Sequence, residues 1–182
     1  LVRAAGCLDR AEELVFCNDS CYGPVFPLEA VMRKMASKAC DFWGMCGNLI
    51  PTYHLQSYFL VFRKAVFLSE PFREFIADIV RQNDVMNVIV NYEIGLSRLL
   101  LSRGFKAAAL VDDTDGWQGN KTLDPVKLMR EFGMPLIKAK CFRKEYNEPF
   151  RASPEAVLAY IEPHNRELHR LIADQWRDRG GK

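Results

Sequence analysis

The sequence predicts an α/β fold: a mixed, mostly parallel sheet flanked by helices. Short continuous apolar runs such as Leu14-Val15-Phe16-Cys17 and Ala107-Ala108-Ala109-Leu110-Val111 stop at turn residues, the pattern of strands buried on both faces. Stretches with apolar residues at helical spacing alternate with these runs. The 182 residues, 49% of them apolar, suffice for one domain with a real core or for two very small ones.

Taken in order, residues 2–12 read as a helix, with Val2, Ala5 and Leu8 on one face. The Leu14–Cys17 strand ends at Asn18-Asp19-Ser20. Pro24 and Pro27 precede a helix over Leu28–Met35, with proline near its start. Cys40–Trp43 is a short strand, and Gly44, Gly47, Asn48 and Pro51 make the next stretch a loop. Leu55–Phe62, rich in aromatics, is the strongest strand. Pro71 opens a helix carrying Phe72, Phe75, Ile76 and Ile79. Asn91–Ser102 is a second helix, with Gly104 as its C-cap. A strand at Ala107–Val111 leads into a polar loop over Asp112–Lys121. A helix at Pro125–Phe132, a turn at Gly133, a strand-like Leu136–Lys140 and a helical tail over Pro154–Trp176 complete the chain.

Composition excludes several classes. With 25 basic and 23 acidic side chains the net charge is +2, too small to hold a polyanion, so no nucleic-acid partner is expected. No apolar stretch approaches the ~20 residues needed to span a bilayer. The six cysteines, at 7, 17, 21, 40, 46 and 141, form no C-x-x-C pair and no zinc spacing, so they read as reduced, mostly buried thiols of a cytoplasmic protein. The phosphate-loop, dinucleotide, hydrolase-elbow and zincin motifs are all absent.

Chemistry can sit in four places. Asn18-Asp19-Ser20 follows a buried strand, where ligand crevices of α/β sheets open, and a carboxylate there can hold a cation on a diphosphate. On the pattern alone, a cap of the turn into Tyr22-Gly23-Pro24 is the commoner role. Glu93 falls at the start of the Asn91–Ser102 helix, where the macrodipole favours a carboxylate able to take a proton; on the pattern alone a solvated helix acid is the commoner role. Phe42 and Trp43, with Tyr53, His54 and Gln56, suit a sugar or flat ring, or plain core packing. Asp112-Asp113-Thr114-Asp115-Gly116 lacks the closing carboxylate of a calcium loop and reads as a solvated acidic loop; a phosphotransferase using Asp113 and Asp115 would need a third carboxylate nearby.

The order of these pieces carries more than any one of them. Leu14 to Pro24, then Asp41-Phe42-Trp43-Gly44-Met45, then His54 to Lys64, then Tyr92-Glu93-Ile94-Gly95-Leu96-Ser97, closely resembles the rhamnan synthesis protein F family. Pro135-Leu136-Ile137-Lys138 looks like that family's later proline–lysine segment. The likeness runs from Leu14 to Lys144.

The resemblance implies a glycosyltransferase of the hexosyltransferase type, similar to the GT-A nucleotide-sugar transferases. It would move rhamnose or a similar deoxyhexose from a nucleoside-diphosphate donor to a growing surface polysaccharide, with an oligosaccharide or lipid-linked glycan as acceptor. It also implies a cytoplasmic protein with peripheral association at the inner face of the membrane.

By position, Asn18-Asp19-Ser20 stands for the D-x-D motif, with Asp19 the ligand of a divalent cation, Mg²⁺ or Mn²⁺. Its third position is Ser20 where the motif has Asp. Glu93, 93 − 19 = 74 residues later, stands for the catalytic base, and its carboxylate and that of Asp19 would face one hollow. Asp41, Trp43, His54 and Gln56 would shape the sugar site.

Residues 1–150 are thus expected to form a partial GT-A-like domain, the metal and acceptor part of that fold, and 151–182 a helical tail. Only 18 residues precede Asp19, where the GT-A fold places its nucleotide-binding half, so a fragment of a longer protein is expected. The alternative is a non-catalytic carbohydrate-binding or scaffold domain that keeps the fold.

Overall fold

The computed structural model describes residues 8–112, 120–143 and 151–180. Two compact units divide the chain. The first is Leu1–Cys17 with Lys38–Asp113, and the second is Asn18–Ser37 with Thr114–Lys182. The helix expected over residues 2–12 falls largely outside the described residues; Leu8–Arg10 form a single 3₁₀ turn.

The first unit is built on a five-stranded mixed sheet. β1 (Glu13–Cys17) pairs with β5 (Phe59–Arg63), which pairs with β3 (Phe42–Asn48). On β3 also lie β4 (His54–Leu55) and β6 (Ala107–Val111). This is the expected α/β class with a mixed sheet flanked by helices. Among the described residues only β3 and β6 run parallel; β1–β5, β5–β3 and β3–β4 are antiparallel, so the mostly parallel sheet gives way to a mostly antiparallel one.

The burial of β1 follows from that. It lies at the sheet edge, with Leu14 and Phe16 against the core and Val15 and Cys17 exposed, and is not buried on both faces. In β3, Gly44 and Gly47 belong to the strand and not to a loop. A side chain at Gly44 would meet Phe59 O at 3.2 Å, a tight contact with backbone, and one at Gly47 would meet the Asp112 carboxylate at 2.7 Å, so that this flexible side chain would have to move.

The single strand expected over Leu55–Phe62 is broken. Gly44 pairs with Leu60 but Gly47 pairs with Leu55, so β4 and β5 take up two more residues than β3 does over the same interval. Gln56-Ser57-Tyr58 form the resulting bulge. Gln56 N donates to Cys46 O at 3.0 Å, which pins its near side.

Helices cover one face of this sheet. α2 (Lys64–Phe67) and α3 (Glu70–Ala77) follow β5, and the Ser69 hydroxyl caps α3 by accepting from Phe72 N. A longer helical stretch then runs through α4 (Val85–Val88), a π-helical segment (Ile89–Ile94) and α5 (Gly95–Ser102). It starts six residues before the expected Asn91, capped by the Asp84 side chain on Met86 N. Val85, Met86, Val88 and Val90 are exposed, so this first part has no inward apolar stripe to betray it. Phe72, Leu96 and Leu100 pack on Phe42, Leu60 and Phe62, and the Phe62 and Phe72 rings lie 4.8 Å apart.

The second unit joins β2 (Cys21–Tyr22) to β7 (Ile137–Lys138) in an antiparallel pair. Around it lie α1 (Leu28–Ala36), α6 (Pro125–Phe132), α7 (Pro154–Ile161) and α8 (Arg166–Asp178). α6 closes at Gly133, whose φ of 65° suits glycine. The strand-like segment expected over Leu136–Lys140 is a two-residue strand followed by a 3₁₀ turn, Ala139–Phe142. The helical tail is present as α7 and α8, and it shares one core with Val25, Met129, Ile137 and Phe142. Among the described residues no helix is long and apolar enough to cross a membrane.

Candidate functional site

Two backbone irregularities of the first unit meet at Glu93. The bulge frees the Ser57 N–H from the strand ladder, and the π-helical segment carries Glu93. Glu93 Oε2 accepts from both Ser57 N and Ser57 Oγ, each at 2.7 Å. These two bonds hold the carboxylate, 17% exposed, in one orientation.

Glu93 Oε1 lies 3.8 Å from His54 Nε2. The other ring nitrogen of His54, Nδ1, sits 2.7 Å from Thr52 O, an acceptor only, so Nδ1 carries a proton and donates it. His54 thereby presents Nε2 to the carboxylate at a distance too long for a direct hydrogen bond. The backbone around the pair is fixed. Leu55 N donates to the buried Ser97 hydroxyl at 3.0 Å, tying β4 to α5. Tyr92 Oη donates to Val80 O and accepts from Gln82 Nε2, anchoring the π-helical segment on its other side.

Glu93 does not stand at a helix N-terminus. The helical stretch begins at Val85, about two turns earlier, so the macrodipole has no end near this carboxylate and the two Ser57 bonds take over its positioning.

The remaining expected residues of this unit are spread along β3. Trp43 is 1% exposed, packed 5.9 Å from the Phe59 ring, and belongs to the core. Gln56 lies in the bulge beside Ser57. Asp41 is at the opposite end of β3 from His54. There its carboxylate accepts from Lys106 N at 2.7 Å and clasps the starts of β3 and β6. At the carboxyl end of β6, Asp112 accepts from Tyr53 Oη at 3.1 Å, with Gly47 beneath. Asp113, Thr114, Asp115 and Gly116 lie outside the described residues.

Asn18, Asp19 and Ser20 belong to the second unit, between β1 and β2 in sequence. Asn18 Oδ1 accepts from Ser20 N at 3.1 Å and from Ser20 Oγ at 2.5 Å. Ser20 Oγ in turn accepts from Lys138 Nζ at 2.9 Å. Two of the three motif side chains are thus committed to local hydrogen bonds, leaving the exposed Asp19 carboxylate as the motif's available ligand.

A divalent cation wants about six oxygens. It would also share Ser20 with an ammonium, and unit charges about 4 Å apart near a protein surface interact by about 4 kcal/mol. Among the described residues no three His, Cys, Asp or Glu side chains gather as a metal set. The residues present do not fit the expected Mg²⁺ or Mn²⁺.

Ser57 and Lys138 carry contacts that the motif pattern leaves unassigned. Ser57 is a polar residue inside an aromatic strand, and Lys138 a cation at the end of an apolar one; these were the available signals.

Comparison with known proteins decides the family. The family model for rhamnan synthesis protein F matches residues 5–177. The chain belongs to the rhamnan synthesis protein F family. Membership implies a role in rhamnan, and so in polysaccharide, synthesis. Neither the curated proteins nor the solved structures offer a match.

Proposed function

We propose that this member of the family is a glycosyltransferase. It would transfer rhamnose or a similar deoxyhexose from a nucleoside-diphosphate donor to a growing cell-surface polysaccharide, working on the cytoplasmic side of the membrane. The observation that carries the reading is the Glu93 carboxylate. It is oriented through Oε2 by Ser57 at the junction of a bulge and a π-helical segment, while Oε1 faces His54.

Such an arrangement suits a general base in a single displacement. Glu93 Oε1 takes the proton of an acceptor sugar hydroxyl. The oxygen attacks the anomeric carbon as the carbon–oxygen bond to the donor diphosphate breaks, and the diphosphate leaves with the electron pair. Family membership supports a polysaccharide substrate, and in this reading the Asn18-Asp19-Ser20 turn takes the donor.

The test is product analysis of the intact protein with a panel of activated sugars and a rhamnan-type acceptor. A general base is worth roughly 10²–10⁴-fold, so Glu93→Gln should cut turnover by about that factor with an unchanged melting temperature. Wild-type turnover in that variant removes Glu93 as the base. Binding of acceptor glycan with no turnover on any donor favours a carbohydrate-binding domain.

A further inference from the structure

We infer that Lys138 supplies the positive charge for the donor diphosphate, so that the Asn18-Asp19-Ser20 turn works without a divalent cation. The inference rests on the transferase reading above and adds the chemistry of its leaving-group site.

The cation is built into the motif. Backbone bonds lock the two segments together at both ends: Ala139 N donates to Ser20 O at 2.8 Å, and Val25 N donates to Pro135 O at 2.8 Å. Between them Cys21 pairs with Lys138 and Tyr22 with Ile137. At Gly23, whose φ is 151°, an added Cβ would stand 2.6 Å from Pro135 O, so the chains are as close there as backbones allow. Lys138 is therefore held in register with the turn, and its Nζ reaches Ser20 Oγ.

The neighbouring thiol does not neutralise it. Burial pushes the Cys21 thiol up, outweighing the opposite pull of Lys138 and of the Ser20 hydrogen bond, so Cys21 stays protonated at neutral pH.

A half-buried lysine beside a turn with one exposed carboxylate suits phosphate oxygens. An ammonium gives point-charge attraction and charge-assisted hydrogen bonds to non-bridging oxygens, and that attraction grows as the sugar–phosphate bond breaks. Asp19 is then left to accept hydrogen bonds from hydroxyls of the donor.

Isothermal titration of the intact protein with UDP, GDP, dTDP and inorganic pyrophosphate, in excess EDTA and again with Mg²⁺, tests this. Expected is binding of at least one nucleoside diphosphate with the same affinity, within about threefold, in both buffers. Lys138→Met should weaken it about tenfold or more, and Lys138→Arg should restore most of the loss. Binding that appears only with Mg²⁺ overturns the inference and leaves the transferase reading standing. Absence of nucleoside-diphosphate binding in both buffers overturns the two together. The comparison of the two buffers uses the wild-type protein, so it tests metal independence even where Lys138→Met fails to fold, and Lys138→Gln with an unchanged melting temperature and wild-type affinity would overturn the role of the lysine.

Discussion

Replacing Ser57 by Ala would remove the hydroxyl bond to Glu93 and leave the backbone N–H bond in place. A hydrogen bond to a charged group contributes about 1.5–3 kcal/mol, so turnover should fall by about tenfold or somewhat more, less than for Glu93→Gln. A Ser57→Ala variant with wild-type turnover on the same donor and acceptor would show that the hydroxyl does not orient the proposed base. A second residue-scale expectation concerns Cys141, whose thiol burial pushes up to about 12 from an ordinary 9.0. The folded state then holds its proton where the unfolded chain has lost it. Its contribution to stability is complete below about pH 9 and is lost as pH rises toward about 12. Denaturant midpoints measured across that window should fall more steeply for wild type than for Cys141→Val, and parallel curves would contradict the assignment. The identity of Glu93 as a candidate was legible in Tyr92-Glu93-Ile94-Gly95. Its partner was not, because Ser57 and Glu93 are 36 residues apart and only a bulge brings them together.

At the level of elements, two glycines test how the candidate sites are framed. Gly23→Ala sets a Cβ 2.6 Å from a backbone oxygen, at a φ that L-residues avoid, and should cost at least about 2 kcal/mol by thermal or denaturant unfolding. Gly47→Ala meets the far end of the Asp112 side chain, which can swing away. That variant should stay folded within about 1 kcal/mol of wild type while losing the Tyr53–Asp112 bond. Equal losses of stability in the two variants would mean that the β2–β7 junction is less tightly set than its backbone contacts indicate. Several elements stood out in the sequence with nearly their final bounds. Ala107–Val111 and Pro125–Phe132 did so because an apolar run or a proline start meets clear turn residues. The bulge and the π-helical segment left no such mark, since both are responses to packing and not to local propensity.

For the molecule as a whole, the chain leaves the first unit at Asn18 and returns at Lys38, so the turn proposed for the donor and the carboxylate proposed as base lie in different units. Titrating the isotopically labelled protein with a nucleoside-diphosphate sugar should shift the backbone amide signal of Asp19, and an unshifted Asp19 would break the donor assignment of the turn. The order of four motifs, the α/β class and the family are properties the sequence determines by itself, because each rests on residue types at short range along the chain. Tertiary structure alone decided that the sheet is mostly antiparallel, that Trp43 is core and Asp41 a clasp, that Ser57 grips Glu93 and that Lys138 reaches Ser20. Each of these depends on strand register or on contacts between residues far apart in the chain, and local patterning carries no record of either.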